Sequence, residues 1–195
     1  MLWARLIALL IAALVAAPAL AHAPVRDEGH CALTREDPFV IVEPEISKAY
    51  YFELAGAPHI YRIVSVEAFD FYAGLTQPKL EDCPMTRTFS LELLDESFRR
   101  MDWVDGSTHR WTAFYEPYAR DWYWKGPELG LKNQSTRSLP PGTYYLRVFN
   151  VDNRGKYVLA VGDTEWFHFQ DLIHLPEMLR WMNQEFWDPA DCEVR

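Results

Sequence analysis

Hydrophobic and polar positions alternate along most of this chain in short runs. "FVIV", "KAYYFEL", "HIYRIVS", "FDFYAGL", "TFSLELL", "WTAFY", "TYYLRVFNV" and "KYVLAVG" follow one another between Phe39 and Gly162. Each is rich in β-branched and aromatic residues, as strands are. A period of two sends one face of a strand to a core and the other to solvent. The runs therefore predict an all-β fold, an antiparallel, jelly-roll-like β-sandwich of about eight strands. The last two runs show the pattern best: Tyr144, Leu146 and Val148 alternate with Tyr145, Arg147 and Phe149, and Tyr157, Leu159 and Val161 alternate with Lys156, Val158 and Ala160. Between them "DNRG" supplies residues that tolerate positive φ, which predicts a hairpin. Pro140, Pro141 and Gly142 mark where its first strand begins.

After Gly162 the period lengthens. Leu175, Met178, Leu179, Met182 and Phe186 recur at helical spacing, with Arg180, Asn183 and Gln184 on the other side and Pro176 suited to a first turn. This predicts a C-terminal amphipathic helix from about Leu175 to Trp187, docked on the sandwich or over a sheet edge. Its polar face lacks the Lys and Arg content of membrane-surface helices.

The first residues change the picture. Arg5 precedes the apolar run Leu6 to Ala17, and small residues follow around "PALAHAP". This is the pattern of a secretory signal peptide, too short for a membrane span. Ala19 and Ala21 are placed for cleavage before His22, and no second long apolar stretch follows. The expected organisation is a signal peptide at 1–21, an N-terminal arm and first strand at 22–43, a β-sandwich domain at 44–163, and a C-terminal helix and tail at 164–195. Between His22 and Pro38 the arm reads as irregular. The product is expected to be exported, periplasmic or extracellular, with no transmembrane segment in the mature chain. A formal net charge of −9 argues against nucleic acid as a partner. In an oxidising compartment Cys31, Cys83 and Cys192 predict one disulfide and one leftover thiol. Cys31 with Cys83 is the favoured pair, because Cys192 lies in a polar tail after Pro189.

"PEISKAYYFELAGAPHIYRI", "FDFYAGLTQP", "FYEPY" and "PPGTYYLRVFNVDNRGKYVLAVGD" together resemble the β-sandwich domains of the bacterial pre-peptidase C-terminal type, over roughly Pro44 to Asp163. The resemblance implies a jelly-roll-like, noncatalytic domain of the kind usually attached to secreted hydrolases, where it assists substrate binding or secretion. Here the sandwich is expected to stand alone. Some relatives bind calcium through acidic residues near the start of the domain, onto which Glu43, Glu45 and Asp37 would fall.

The chemistry-bearing residues form no G-x-S-x-G, H-E-x-x-H or C-x-x-C, so the chain is read as a non-enzyme with no cofactor. His59 and His168 alternate with apolar neighbours, as strand residues do. Asp102 and Asp105 in "MDWVDG", with Asp95 and Glu96 upstream, fall short of a calcium loop and read as turn formers. An alternative gives His22 a metal role: an N-terminal His can chelate copper through its amine and ring, with a second histidine from His30, His59 or His109. The densest feature is "WTAFYEPYARDWYW", Trp111 to Trp124, which ends at "KGP", read as a turn. In "RDWYW", an extended backbone puts Trp122 and Trp124 on one face and Tyr123 on the other, so at least one ring reaches the surface. The segment serves either the core or recognition. Arg120, Asp121, Trp122, Tyr123 and Trp124 are accordingly the candidate ligand-binding residues of an exported binding or assembly module of the cell envelope. Its expected partner is an envelope polysaccharide or an exported protein.

Overall fold

The computed structural model describes residues 22–26, 33–80, 83–85, 87–116, 119–130, 137–166 and 169–186; the segment 1–21 read as a signal peptide, together with His30, Cys31, His168 and Cys192, lies outside them. In chain order the strands are β1 (Ala23–Arg26), β2 (Phe39–Ile41), β3 (Lys48–Ala55), β4 (His59–Ser65), β5 (Phe69–Phe71), β6 (Ala73–Pro78) and β7 (Ser90–Leu94). They continue as β8 (Arg100–Val104), β9 (Thr112–Glu116), β10 (Asp121–Leu129), β11 (Arg137–Leu139), β12 (Gly142–Phe149) and β13 (Arg154–Val161). Helix α1 (Phe169–Trp181) follows and runs into a π-helical turn, Met182–Phe186.

Two sheets pack as a sandwich. One has the order β1-β3-β13-β6-β10-β9, the other β2-β4-β12-β7-β8, and β11 with β5 forms a two-stranded ribbon. The alternation in the sequence accounts for the core between them. Phe52, Tyr61, Leu91, Leu146, Tyr157 and Leu159 come from both sheets and are each at most 2% exposed. Burying a side chain of this kind contributes about 1.5–3 kcal/mol before ordering costs are counted. Tyrosine hydroxyls that enter the core are paired: that of Tyr157 lies 2.6 Å from the Tyr61 hydroxyl and 2.7 Å from His59 Nδ1. Glu92, with no exposed surface, is bracketed by the guanidinium groups of Arg100 and Arg147.

The structure departs from the sequence reading in five places. First, β12 and β13 are not a hairpin. β12 pairs with β4 and β7, whereas β13 pairs with β3 and β6, so "DNRG" arches from one sheet to the other. The arch is closed by Asn150, whose side-chain Nδ2 donates to the Arg154 carbonyl at 2.8 Å and whose Oδ1 accepts from the Arg154 N–H at 3.1 Å. Asn153 takes φ 50° there, which an asparagine tolerates. Alternation shows which face of a strand is buried, not which sheet the strand joins.

Second, the sheets are not wholly antiparallel: β1 runs parallel to β3, and β2 parallel to β4. Third, the arm read as irregular enters a sheet at Ala23–Arg26 as β1, a segment too short to show a period. Fourth, "KGP" does not stop the chain. β10 runs on through Gly126 and Pro127 with a register shift between Lys125 and Glu128. Such a bulge is one place a strand accommodates Gly and Pro. The glycine is needed because a Cβ at Gly126 would stand 2.4 Å from the Trp111 ring. Fifth, the helix starts six residues before Leu175, so Pro176 sits inside it.

Packing holds the helix in place despite the hydrogen bond its proline forgoes. Met182 and Phe186 are buried against Ala49, Tyr51, Tyr123 and Val158, on the face of the six-stranded sheet turned away from the core. The Tyr51 and Phe186 rings meet edge-on at 5.1 Å. That contact also explains β13, in which Val158 and Ala160 are buried along with their core-facing neighbours.

Candidate functional site

β9 and β10 lie side by side at one margin of the six-stranded sheet, with Phe114 opposite Tyr123 and Tyr115 opposite Trp122. The pleat sends these two cross-strand pairs to opposite faces. Phe114 and Tyr123, 5.6 Å apart, belong to the cluster beneath the helix, where Tyr123 is 3% exposed. Tyr115 and Trp122, also 5.6 Å apart, are 46% and 47% exposed. Trp124 shares the face of Trp122 but is half-buried, one side packed on the sandwich core. Lys79 bridges the two tryptophans. Its backbone N–H donates to the Trp122 carbonyl at 2.9 Å, and its ammonium stands 5.9 Å from the Trp122 ring and 5.6 Å from that of Trp124. The result is a strip in the order Tyr115, Trp122, Lys79, Trp124.

The five residues of "RDWYW" therefore do not form one surface. Trp122 and Trp124 are brought together. Tyr123 is turned to the other side, where its hydroxyl lies 3.0 Å from that of Tyr51, and burial pushes both phenols up from their ordinary pKa. Arg120 is exposed in the turn before β10 with φ 57°. Asp121 accepts the Trp122 N–H at 2.8 Å; loss of solvent raises its carboxyl pKa, against the lowering effect of that hydrogen bond. Tyr115 and Lys79 were not among the candidates. Tyr115 was legible in principle, because alternation in "TAFYE" parts it from Phe114; Lys79 carried no sequence signal, because only the pairing of β6 with β10 brings it there.

Beneath the helix, Tyr51, Tyr123 and Phe114 line a cavity of about 510 Å³ that includes His22 and Ser47. Its polar atoms engage one another: Tyr72 donates to Glu128 at 2.6 Å, Lys125 pairs with Glu128 at 3.0 Å, and His22 Nδ1 meets the Ser47 hydroxyl at 2.5 Å. A copper site would need a second histidine beside His22. Among the described residues none lines this cavity: His59 is bound to Tyr157, and His109 packs edge-on to Trp111. No group of three or more His, Cys, Asp or Glu that could hold a metal occurs among the described residues.

Of the carboxylates matched to calcium-binding relatives, Glu43 pairs with Lys48 at 3.2 Å and Glu45 accepts the Asp70 N–H at 2.9 Å, while Asp37 is exposed in a bend where its backbone N–H donates to Thr34. Asp105 accepts both the N–H and the hydroxyl of Ser107, as a turn former does, and Asp102 pairs with Arg137 at 2.9 Å. Cys83 is described, whereas Cys31 and Cys192 lie outside the described residues.

No family model matches the chain, and no curated protein matches it. Among solved structures it is similar to the pre-peptidase C-terminal domain of a collagenase from Bacillus anthracis, at 14% identity and TM-score 0.34, over 64% of this chain and 91% of that one. It is also similar to a β-glucosidase from Paenibacillus barengoltzii, at 12% identity and TM-score 0.25, over 76% of this chain and 14% of that one. At these scores neither likeness bears on ligand or activity, and the β-sandwich rests on the strand pairing above. No helix among the described residues is long and apolar enough to cross a membrane.

Proposed function

We propose that this protein is an exported, noncatalytic binding module of the cell envelope, periplasmic or extracellular, that takes a polysaccharide along the Tyr115, Trp122 and Trp124 strip. The observation that carries this reading is the exposure of Tyr115 and Trp122, 46% and 47%, as an edge-on pair across the hydrogen-bonded strands β9 and β10. Two large rings held in water lose the hydrophobic gain of burial, which a flat apolar ligand face with polar edges restores. A protein partner is the less favoured occupant. Interface centres are depleted of charge, whereas the Lys79 ammonium stands 5.9 Å and 5.6 Å from two rings of this strip. The noncatalytic part of the reading rests on the motifs of the sequence.

The experiment is affinity electrophoresis of the exported protein through gels containing envelope and plant polysaccharides, wild type beside Trp122→Ala. Retardation by at least one polymer, lost in the variant, is the expected result. Retardation that Trp122→Ala leaves intact overturns the proposed face.

A further inference from the structure

A cleft of about 330 Å³ opens beside Trp124, where β3 and β6 end and β13 begins. Its lining carries Arg87, Arg154 and Lys156 against one carboxylate among the described residues, Glu53, on a chain whose net charge is −9. The cleft is built rather than incidental. Gly155, at φ 104°, makes room for Arg87, since a Cβ there would lie 2.7 Å from Arg87 Cδ. From below, the buried Gln77 donates to the Arg87 carbonyl at 2.9 Å. Arg87 pairs with Asp152 at 3.4 Å. Arg154 is exposed and makes no ion pair with any described residue. The Lys79 ammonium stands 5.6 Å from the Trp124 ring. A tryptophan flanked by cations, continuous with an exposed aromatic strip, offers stacking and anion pairing at once.

We propose that the ligand is an anionic polysaccharide, with a carboxylate or sulfate of one sugar entering the cleft toward Arg154 while neighbouring rings stack along Trp124 and Trp122 beside Lys79. This inference rests on the binding reading above and adds the charge of the ligand to it. An acidic polymer is drawn to this end of the molecule although the chain as a whole repels it, because charges more than about 8–10 Å away are screened at physiological salt.

Isothermal titration of the folded wild-type protein against a uronic-acid polymer, the same polymer with its carboxyls methyl-esterified, and a sulfated polysaccharide tests it. At least one anionic polymer is expected to bind roughly ten-fold more tightly than the esterified one, a difference of about 1.4 kcal/mol. Higher salt removes that difference, and so does the double substitution Lys79→Ala with Arg154→Ala, the melting temperature staying at the wild-type value. The preferred anionic polymer assigns the group as carboxylate or sulfate. Equal affinity for charged and esterified polymers, no binding to any of the three, or a double variant that keeps the difference overturns the anion assignment. Trp122→Ala separates the two levels: if neutral-polymer binding still depends on Trp122, only the anion assignment falls, whereas binding indifferent to Trp122 removes the face itself.

Discussion

Tyr115 and Trp122 stand opposite each other across β9 and β10, ring centroids 5.6 Å apart, and each keeps close to half its surface in water. Phe114 and Tyr123 keep the same spacing on the other face, under the helix. Two like pairs on one strand pair thus serve opposite ends. The inner pair packs beneath the helix, and the outer pair faces solvent.

Stability should follow that division. Tyr123→Ala empties a site 3% exposed and removes the hydroxyl contact with Tyr51, so a loss of about 3–5 kcal/mol is expected in chemical denaturation. Trp122→Ala should change stability by no more than about 0.5 kcal/mol, as surface substitutions do. Comparable losses in both variants would mean that Trp122 is a packing residue.

The helix is expected to be integral to the domain. Met182 and Phe186 are 2% and 5% exposed against the sheet. Met182→Ala should cost about 2–5 kcal/mol and Phe186→Ala about 3–5 kcal/mol. Unchanged denaturation midpoints for both would show that the helix detaches without consequence.

Acid should erase the contribution of one turn. Asp95 is partly covered, and its carboxyl is held below the usual range, first by the Arg99 N–H it accepts at 2.9 Å and also by the Arg99 side chain. A carboxyl depressed in the folded state stabilises above its unfolded value and loses that effect as pH falls through the folded value. The melting-temperature deficit of Asp95→Ala should therefore be present at neutral pH and fade below the ordinary value of 3.8. A deficit constant into strong acid would assign the effect to something other than this ionisation.

For Cys83 the expected disulfide partner is Cys31. A bond closing a loop of about fifty residues stabilises by roughly 4 kcal/mol in the chain-entropy account. Peptide mapping of the exported protein without reduction should recover the Cys31 to Cys83 cross-link and leave Cys192 free. A Cys83 to Cys192 cross-link would contradict it.

Much of the sandwich was legible because its strands obey a period of two: Tyr144, Leu146 and Val148, like Tyr157, Leu159 and Val161, are buried as their spacing requires. What the spacing could not carry was pairing. β12 and β13 look like a hairpin because they are adjacent and alternate, yet their hydrogen bonds go to different sheets. The candidate site was legible to the same extent. "DWYW" told that Tyr123 parts from Trp122 and Trp124, but not that the tryptophans lie on the open face, which depends on where the second sheet stops. Lys79 and Arg154 reach Trp124 through long-range pairing alone.

The most direct measurement is the affinity of the best-bound polysaccharide for wild type, Tyr115→Ala and Trp122→Ala by isothermal titration, with melting temperatures recorded on the same samples. Loss of an aromatic anchor worth about 2 kcal/mol corresponds to an affinity some ~30-fold lower. The account predicts a loss of that order for Trp122→Ala, a smaller one for Tyr115→Ala, and melting temperatures close to wild type for both. Wild-type affinity in Trp122→Ala would contradict it.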